Sequence, residues 1–225
     1  MRPRLVHSQP TPRGAESAVR LQQASDVELL CALRRGEEAA LDELIERKSR
    51  ALLGLAHRVL GDREEARDVV QMAFVRIWEH RERFDERWSP NTWIYRITTN
   101  LAIDHLRARR SRERQQEPLQ LHVLRQQEGG ARRLLGDLRE REVQAIFASL
   151  AGGLTEKQRV VFVLREIEGL STVEIARILG CKESTVRNHL FNGRQVLQRA
   201  LLERYPEYAP SSRRDETDGA EGDGA

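Results

Sequence analysis

Apolar side chains in the first half of the chain recur every three or four positions, the spacing of one face of an α-helix. In "SDVELLCALRRG" Leu29, Leu30 and Leu33 share a face. Ser25 with Glu28 three positions on has capping-box spacing, and Gly36 suits the helix stop. A second helix is predicted from Glu37 to Leu60, with Leu41, Leu44, Ile45, Leu52, Leu55, Ala56 and Val59 inward. Gly61 ends it, and Asp62 with Glu65 opens a third by the same capping logic. That helix, "REEARDVVQMAFVRIWEHRERF", directs Ala66, Val69, Val70, Ala73, Phe74 and Ile77 inward. After the break at "DERWSP", Ser89 caps a fourth helix and Pro90 takes its first position, where no N–H is needed. Ile94, Ile97, Leu101 and Ile103 point to its core.

Periodicity then weakens. Residues 112–140 are rich in Gln, Glu and Arg, contain Gly129-Gly130, and read as a linker. A second helical set follows over 141–150, 155–168, 171–179 and 183–202, with capping-box spacing at Thr155–Gln158 and Ser171–Glu174. No alternation long enough for a strand occurs. The pattern predicts an all-α protein of two small helical domains on a flexible linker. The boundaries are a disordered tail over 1–24, a four-helix domain over 25–111, the linker over 112–140, a second domain over 141–205 and a disordered acidic tail over 206–225.

Composition changes this picture in two places. The net charge is only +3, yet "LRARRSRER" (Leu106–Arg114) holds five arginines against one glutamate. "DETDGAEGDGA" (Asp215–Ala225) holds five acids and no base. A local basic stripe points to nucleic acid better than a total does, although a solvated helix end looks the same. Cys31 and Cys181 stand alone within apolar patterns, so buried core thiols are expected rather than a disulfide or zinc site. No apolar run approaches membrane-spanning length, and the N-terminus lacks the apolar stretch of a signal peptide. A cytoplasmic protein is expected.

Candidate chemistry is recognition, not catalysis. The six histidines are scattered, and no HExxH, GxSxG, CxxC or phosphate-cradling glycine loop is present. Neither an enzyme nor a cofactor nor a small-molecule substrate is expected. "LSTVEIARILGCKESTVRNHL" reads as a helix-turn-helix. Val173, Ile175, Ala176, Ile178 and Leu179 face inward, Gly180 makes the turn, and Val186 and Leu190 anchor the second helix. Lys182, Glu183, Ser184, Thr185, Arg187, Asn188, His189 and Arg194 are left for duplex DNA, since such a helix enters the major groove by its N-terminal end. In the first domain Trp88, Trp93 and Tyr95 lie near the arginine stripe. Aromatic faces beside arginines can hold unstacked bases, and tryptophans near helix starts can equally be core residues.

These segments together resemble a bacterial RNA polymerase sigma factor of the extracytoplasmic-function (ECF) type. "GDREEARDVVQMAFVRIWEHRERFD" is similar to the family's polymerase-binding helix. "WSPNTWIYRITTNLAIDHLRARR" is similar to its promoter-melting helix, and "LTEKQRVVFVLREIEGLSTVEIARILGCKESTVRNHL" to its C-terminal reader. The resemblance implies that Asp68, Gln71, Met72, Val75 and Trp78 meet core polymerase, at its β′ clamp helices with the β subunit as a further contact. It implies that Trp88, Trp93, Tyr95, Arg96, Asn100, Asp104, Arg107 and Arg110 serve the −10 element, and that residues 182–194 read the −35 duplex. It also implies an anti-sigma factor as partner. The chain departs from the pattern where Lys182 replaces the usual helix cap. Asn192 and Gln195 stand where basic residues are common, and Gly193 weakens the helix by about 1 kcal/mol relative to alanine. Two other readings stay open at this point: a free-standing helix-turn-helix regulator, and a sigma-like interaction protein that does not initiate.

Overall fold

The computed structural model describes residues 20–116 and 145–206, and every regular element in them is helical. In chain order these are α1 (Asp26–Arg34), α2 (Glu38–Leu60), α3 (Arg63–Glu79), a 3₁₀ turn at Arg81–Arg83 and α4 (Pro90–Gln116). After a helical stretch at 145–150 and a 3₁₀ turn at Ala151–Gly153 come α5 (Glu156–Phe162), a π-helical turn (Val163–Ile167), α6 (Thr172–Leu179) and α7 (Glu183–Arg204). No helix among the described residues is long and apolar enough to cross a membrane. Most of the predicted linker, the start of the second helical set and nearly all of both predicted tails lie outside the described residues.

The caps are where the sequence puts them. Ser25 accepts the Glu28 N–H, and Glu28 reaches back to the Ser25 N–H at 2.7 Å. Thr155 with Gln158 and Ser171 with Glu174 form the same reciprocal box. Asp62 is different. Its Oδ1 takes both the Glu64 and Glu65 N–H groups, at 2.9 and 3.0 Å. Glu65 is thereby released to accept from Arg109 at 2.8 Å. Gly61 and Gly180 end α2 and α6 in the left-handed conformation, at φ 77° and 61°, where a Cβ would be strained.

Four differences from the sequence expectation follow from packing. Residues 20–23 are helical and Leu21 is buried, because Arg47 donates to the carbonyls of Leu21, Gln22 and Ala24. Order therefore starts inside the segment read as a tail. On α4 only Ile94 of the four expected isoleucines and leucines is fully buried. The rest of that face is Thr92, Trp93, Tyr95, Thr98, Thr99, Ala102 and Leu106. Threonine can enter a helix core when its hydroxyl bonds back to the preceding turn, as Thr98 does to the Ile94 carbonyl at 3.1 Å. The helix read as 155–168 ends in the π turn, which places one extra residue before Glu168. Both cysteines are free thiols but only half-buried.

The two helical sets share one continuous buried cluster. α6 packs on α4, and α5 with the π turn packs on α2. Arg159 of α5 donates to the Val59 carbonyl at the end of α2. The helical sets are therefore in contact, not independent beads on a string.

Burial at that junction also sets a pH dependence. His57 on α2 is half-buried; loss of hydration, then the nearby Arg63 and Arg58 cations, hold its imidazole below the ordinary range. Burial, then Lys157, does the same to His189. Because the folded-state values lie below the unfolded one, the unfolded chain binds protons first. The stability is present above the ordinary imidazole value of about 6.5 and is lost as pH falls through it. The melting temperature is expected to drop between pH 7.5 and 5.5, and His57→Gln to flatten most of that step in a pH series of thermal melts.

Candidate polymerase and promoter surfaces

Three exposed faces carry the candidate side chains. On α3, the buried stripe of Ala66, Val69, Val70, Ala73, Phe74 and Ile77 leaves Asp68, Gln71, Met72 and Val75 outward. Met72 is 46% and Val75 44% exposed, an unusual state for large apolar side chains. Trp78 is half-buried, and the Arg81 guanidinium lies over its ring at 4.3 Å. It therefore flanks this face without standing free.

On α4 the candidate residues divide. Arg96, Asn100, Asp104, Arg107 and Arg110 are exposed. Arg96 lies over the half-buried Trp88 ring at 5.4 Å, so this pair offers a cation and an aromatic face together. Trp93 is 8% exposed and packs edge-on against Phe84 at 5.5 Å, as a core residue. Tyr95 is buried, and its hydroxyl donates to Glu168 of the C-terminal set at 2.9 Å. Burial and the facing carboxylate push that phenol well above its ordinary range, so it remains a donor. The arginine stripe is also split. Arg109 turns inward to Glu65 and to the Leu60 carbonyl, capping α2. Arg110 pairs with Glu156 at 3.1 Å, and Arg107 with Asp104 at 3.2 Å.

On α7, Val186, Leu190, Gly193 and Leu197 face inward. Lys182 holds the cap position without a side-chain bond to the helix, as its chemistry requires. Ser184, Thr185, Arg187, Asn188 and Arg194 are exposed. Glu183 pairs with Arg187 at 3.3 Å, Asn192 donates to Asn188 at 3.3 Å, and Arg194 is held by Glu166 at 2.6 Å. Burial, then the nearby Lys157 cation, holds the His189 imidazole below its ordinary range. Among the described residues, no group of three His, Cys, Asp or Glu side chains is arranged to hold a metal ion.

These faces meet a consistent set of relatives. Residues 44–112 match the family described as Sigma-70 region 2, and residues 144–197 that described as Sigma-70, region 4. The RNA polymerase sigma-H factor of Pseudomonas aeruginosa is 33% identical over 189 residues, spanning 80% of this chain and 96% of that protein. The chain belongs to the sigma-70 family. Its branch is the ECF one: the ECF RNA polymerase sigma factor SigE of Mycolicibacterium smegmatis is 32% identical over 183 residues, spanning 79% of this chain and 68% of that protein. Among solved structures, CnrH in complex with the cytosolic domain of CnrY aligns at TM-score 0.58 and 26% identity, over 81% of this chain and 99% of that one. The sigma factor RpoE of Bartonella quintana, solved with the anti-sigma factor NepR, shares the fold at TM-score 0.55 and 20% identity, over 71% and 95%. The protein is thus an alternative sigma factor, which works with core RNA polymerase to direct promoter-specific initiation.

One exposed residue of α7 escaped sequence reasoning. Phe191 is 60% exposed, on the same side of α7 as Arg187 and Asn188. The signal was available: Phe191 lies one position past Leu190, about 100° off the inward stripe. Gly193 is buried in the same helix. Its Cα backs onto α5, where a Cβ would meet Gln158 Cβ at 3.6 Å and Leu154 Cδ2 at 3.7 Å. Those are ordinary contacts. Gly193→Ala is therefore expected to stabilise the fold by about 1 kcal/mol, seen as a raised urea midpoint at unchanged slope.

Proposed function

We propose that the sigma factor divides its work among the three faces. The outward side of α3 (Asp68, Gln71, Met72, Val75, with Trp78 beside it) docks on core polymerase, at the β′ clamp helices. The exposed Met72–Val75 pair carries this reading, since an apolar centre rimmed by polar groups is the anatomy of a protein interface. The residue 25–111 unit, through Trp88, Arg96, Asn100 and Arg107, holds the opened −10 strand by stacking and phosphate pairing. The residue 141–205 unit reads the −35 duplex through Lys182, Ser184, Thr185, Arg187, Asn188 and Phe191, the last supplying an apolar surface for a thymine methyl. Trp93 acts from the core, by fixing the start of α4. The chain catalyses nothing; RNA synthesis belongs to the polymerase. It works in the cytoplasm, and an anti-sigma factor restrains it, as NepR is the partner of the Bartonella quintana sigma factor.

Site-directed photocrosslinking tests this division. A benzophenone amino acid is placed at Met72, Asn100 or Asn188 in the holoenzyme on a promoter. The expected adducts are, in turn, the β′ subunit, the −10 non-template strand and the −35 duplex. Adducts from Met72 to DNA, or from Asn188 to the −10 strand, overturn the assignment.

A further inference from the structure

Trp88, half of the aromatic–cation pair assigned to the −10 strand, sits in the loop at residues 84–89, outside any helix. Three separate contacts shape that loop. Phe84 is 2% exposed and packs edge-on against Trp93, which anchors the loop's start. Asp85 closes the turn: its carboxylate accepts the Arg87 N–H at 3.0 Å, and its carbonyl accepts the Trp88 N–H at 2.9 Å. The third contact crosses from α1. Arg34, the last residue of that helix, donates to the Phe84 carbonyl at 3.4 Å and to the Glu86 carboxylate at 2.9 Å. Cys31, one turn earlier on α1, donates its thiol to the same carboxylate.

Arg34 is not needed to fold α1. That helix is held by the buried Leu29, Leu30, Ala32 and Leu33 and by its capping box. The Arg34 and Glu86 side chains are 42% and 55% exposed, and an ion pair so open to water adds little to stability. Its geometry matters more than its energy. One guanidinium fixes the loop at a carbonyl and at a side chain two positions on, and Trp88 follows directly after. The Trp88 ring lies under Arg96 at 5.4 Å, and both groups must be in place for a base to stack while its phosphate is paired. A loop that had to order itself on binding would lose affinity by the entropy of that ordering.

We propose that Arg34 is a positioning residue for promoter opening: from α1 it braces the loop through Phe84 and Glu86, in the shape that presents Trp88 beside Arg96 to the −10 strand. The inference rests on the assignment of Trp88 and Arg96 to that strand, and it gives α1 a part in the same task. Arg34 acts through the loop without touching nucleic acid. Its loss weakens strand capture and leaves polymerase binding and the −35 contacts unchanged.

A double-mutant cycle in the holoenzyme tests it. The probe is a fluorescent single-stranded oligonucleotide carrying the −10 sequence that the wild-type holoenzyme selects from a randomised pool. Arg34→Ala is expected to weaken binding about tenfold, equivalent to about 1.4 kcal/mol, the size of ordering one residue's backbone. In a Trp88→Ala background the same substitution is expected to cost less than about twofold. Co-elution with core polymerase and the melting temperature stay at wild-type values. An Arg34→Ala variant that binds the strand as the wild type does overturns the inference. So does an equal loss in both backgrounds, the behaviour of a residue that touches the strand itself.

Glu86→Ala approaches the brace from the other side, and it decides the matter should Arg34→Ala lower the melting temperature. Removing an acid beside a nucleic acid tightens binding by charge alone, whereas loss of the brace weakens it. Weaker binding by Glu86→Ala supports the inference, and unchanged or tighter binding overturns it. The underlying assignment fails in a different way. If Trp88 and Arg96 do not hold the −10 strand, Trp88→Ala binds the probe as the wild type does, and the brace falls with the assignment. If Trp88→Ala loses affinity and Arg34→Ala does not, the assignment stands and Arg34 alone is removed from it.

Discussion

Met72→Glu/Val75→Glu is expected to abolish binding to core RNA polymerase while leaving the fold intact. Both side chains project from α3 into solvent, at 46% and 44% exposed, and neither belongs to the buried stripe that holds α3 against its neighbours. Substitutions at such positions usually move stability by no more than about 0.5 kcal/mol. At an interface the same pair would lie at the apolar centre, where truncating an anchor alone costs about 2 kcal/mol or more. Two carboxylates left there without partners add a desolvation cost on top. A loss beyond 4 kcal/mol is about a thousandfold in affinity. Size-exclusion with core polymerase should show no co-elution of the double variant at micromolar concentration, with the wild-type far-UV spectrum and melting temperature preserved. Arg67→Ala, on the same helix in an exposed pair with Glu64, serves as the neutral control. Co-elution of the double variant at wild-type strength would remove α3 from the polymerase interface.

The outward placement of Met72 and Val75 was readable in the helical period, whereas their role at polymerase is implied only by the family resemblance. Once Val69, Val70, Ala73, Phe74 and Ile77 are turned inward, two apolar residues remain on the wrong side. Capping was equally plain, since Ser25, Thr155 and Ser171 each carry their acid or amide three positions on. What the sequence concealed is whatever depends on a partner far along the chain. "LRARRSRER" reads as a uniform basic stripe, yet Arg109 is committed to Glu65 and Arg110 to Glu156. A charge count cannot tell a cation that caps a neighbouring helix from one left for DNA.

The aromatic residues teach the same lesson from the opposite side. Trp88, Trp93 and Tyr95 look alike as candidates for base stacking, and each has a different fate. Trp88 stays partly open under Arg96, Trp93 closes on Phe84, and Tyr95 meets Glu168, 73 positions away. Periodicity places Tyr95 on α4 but says nothing about which other helix covers it. Most of the predicted linker lies outside the described residues; what composition could not foresee is the contact made by the two units that it joins.

The reading helix gives the second large effect, and it separates residues by how they fail. Asn188→Ala and Phe191→Ala are expected to lower transcription from the native promoter about tenfold to a hundredfold, because each base-edge contact carries about 1–3 kcal/mol of discrimination. Against a randomised −35 library each should relax preference at its own position. Lys182→Ala and Arg194→Ala should instead weaken all sequences together and reduce the salt slope by about one unit, the behaviour of phosphate contacts. Arg187 decides between these classes. Its exposed pairing with Glu183 is weak, so the guanidinium is available to exchange that carboxylate for a guanine edge. Arg187→Lys keeps the charge but loses the planar fork. If Arg187 reads a base, the lysine variant loses preference at one position about as fully as Arg187→Ala does. If it grips phosphate, lysine restores most of the activity on every sequence and the preference logo is unchanged. A library profile in which no substitution at Arg187, Asn188 or Phe191 shifts any −35 position would mean that α7 does not face the bases at all.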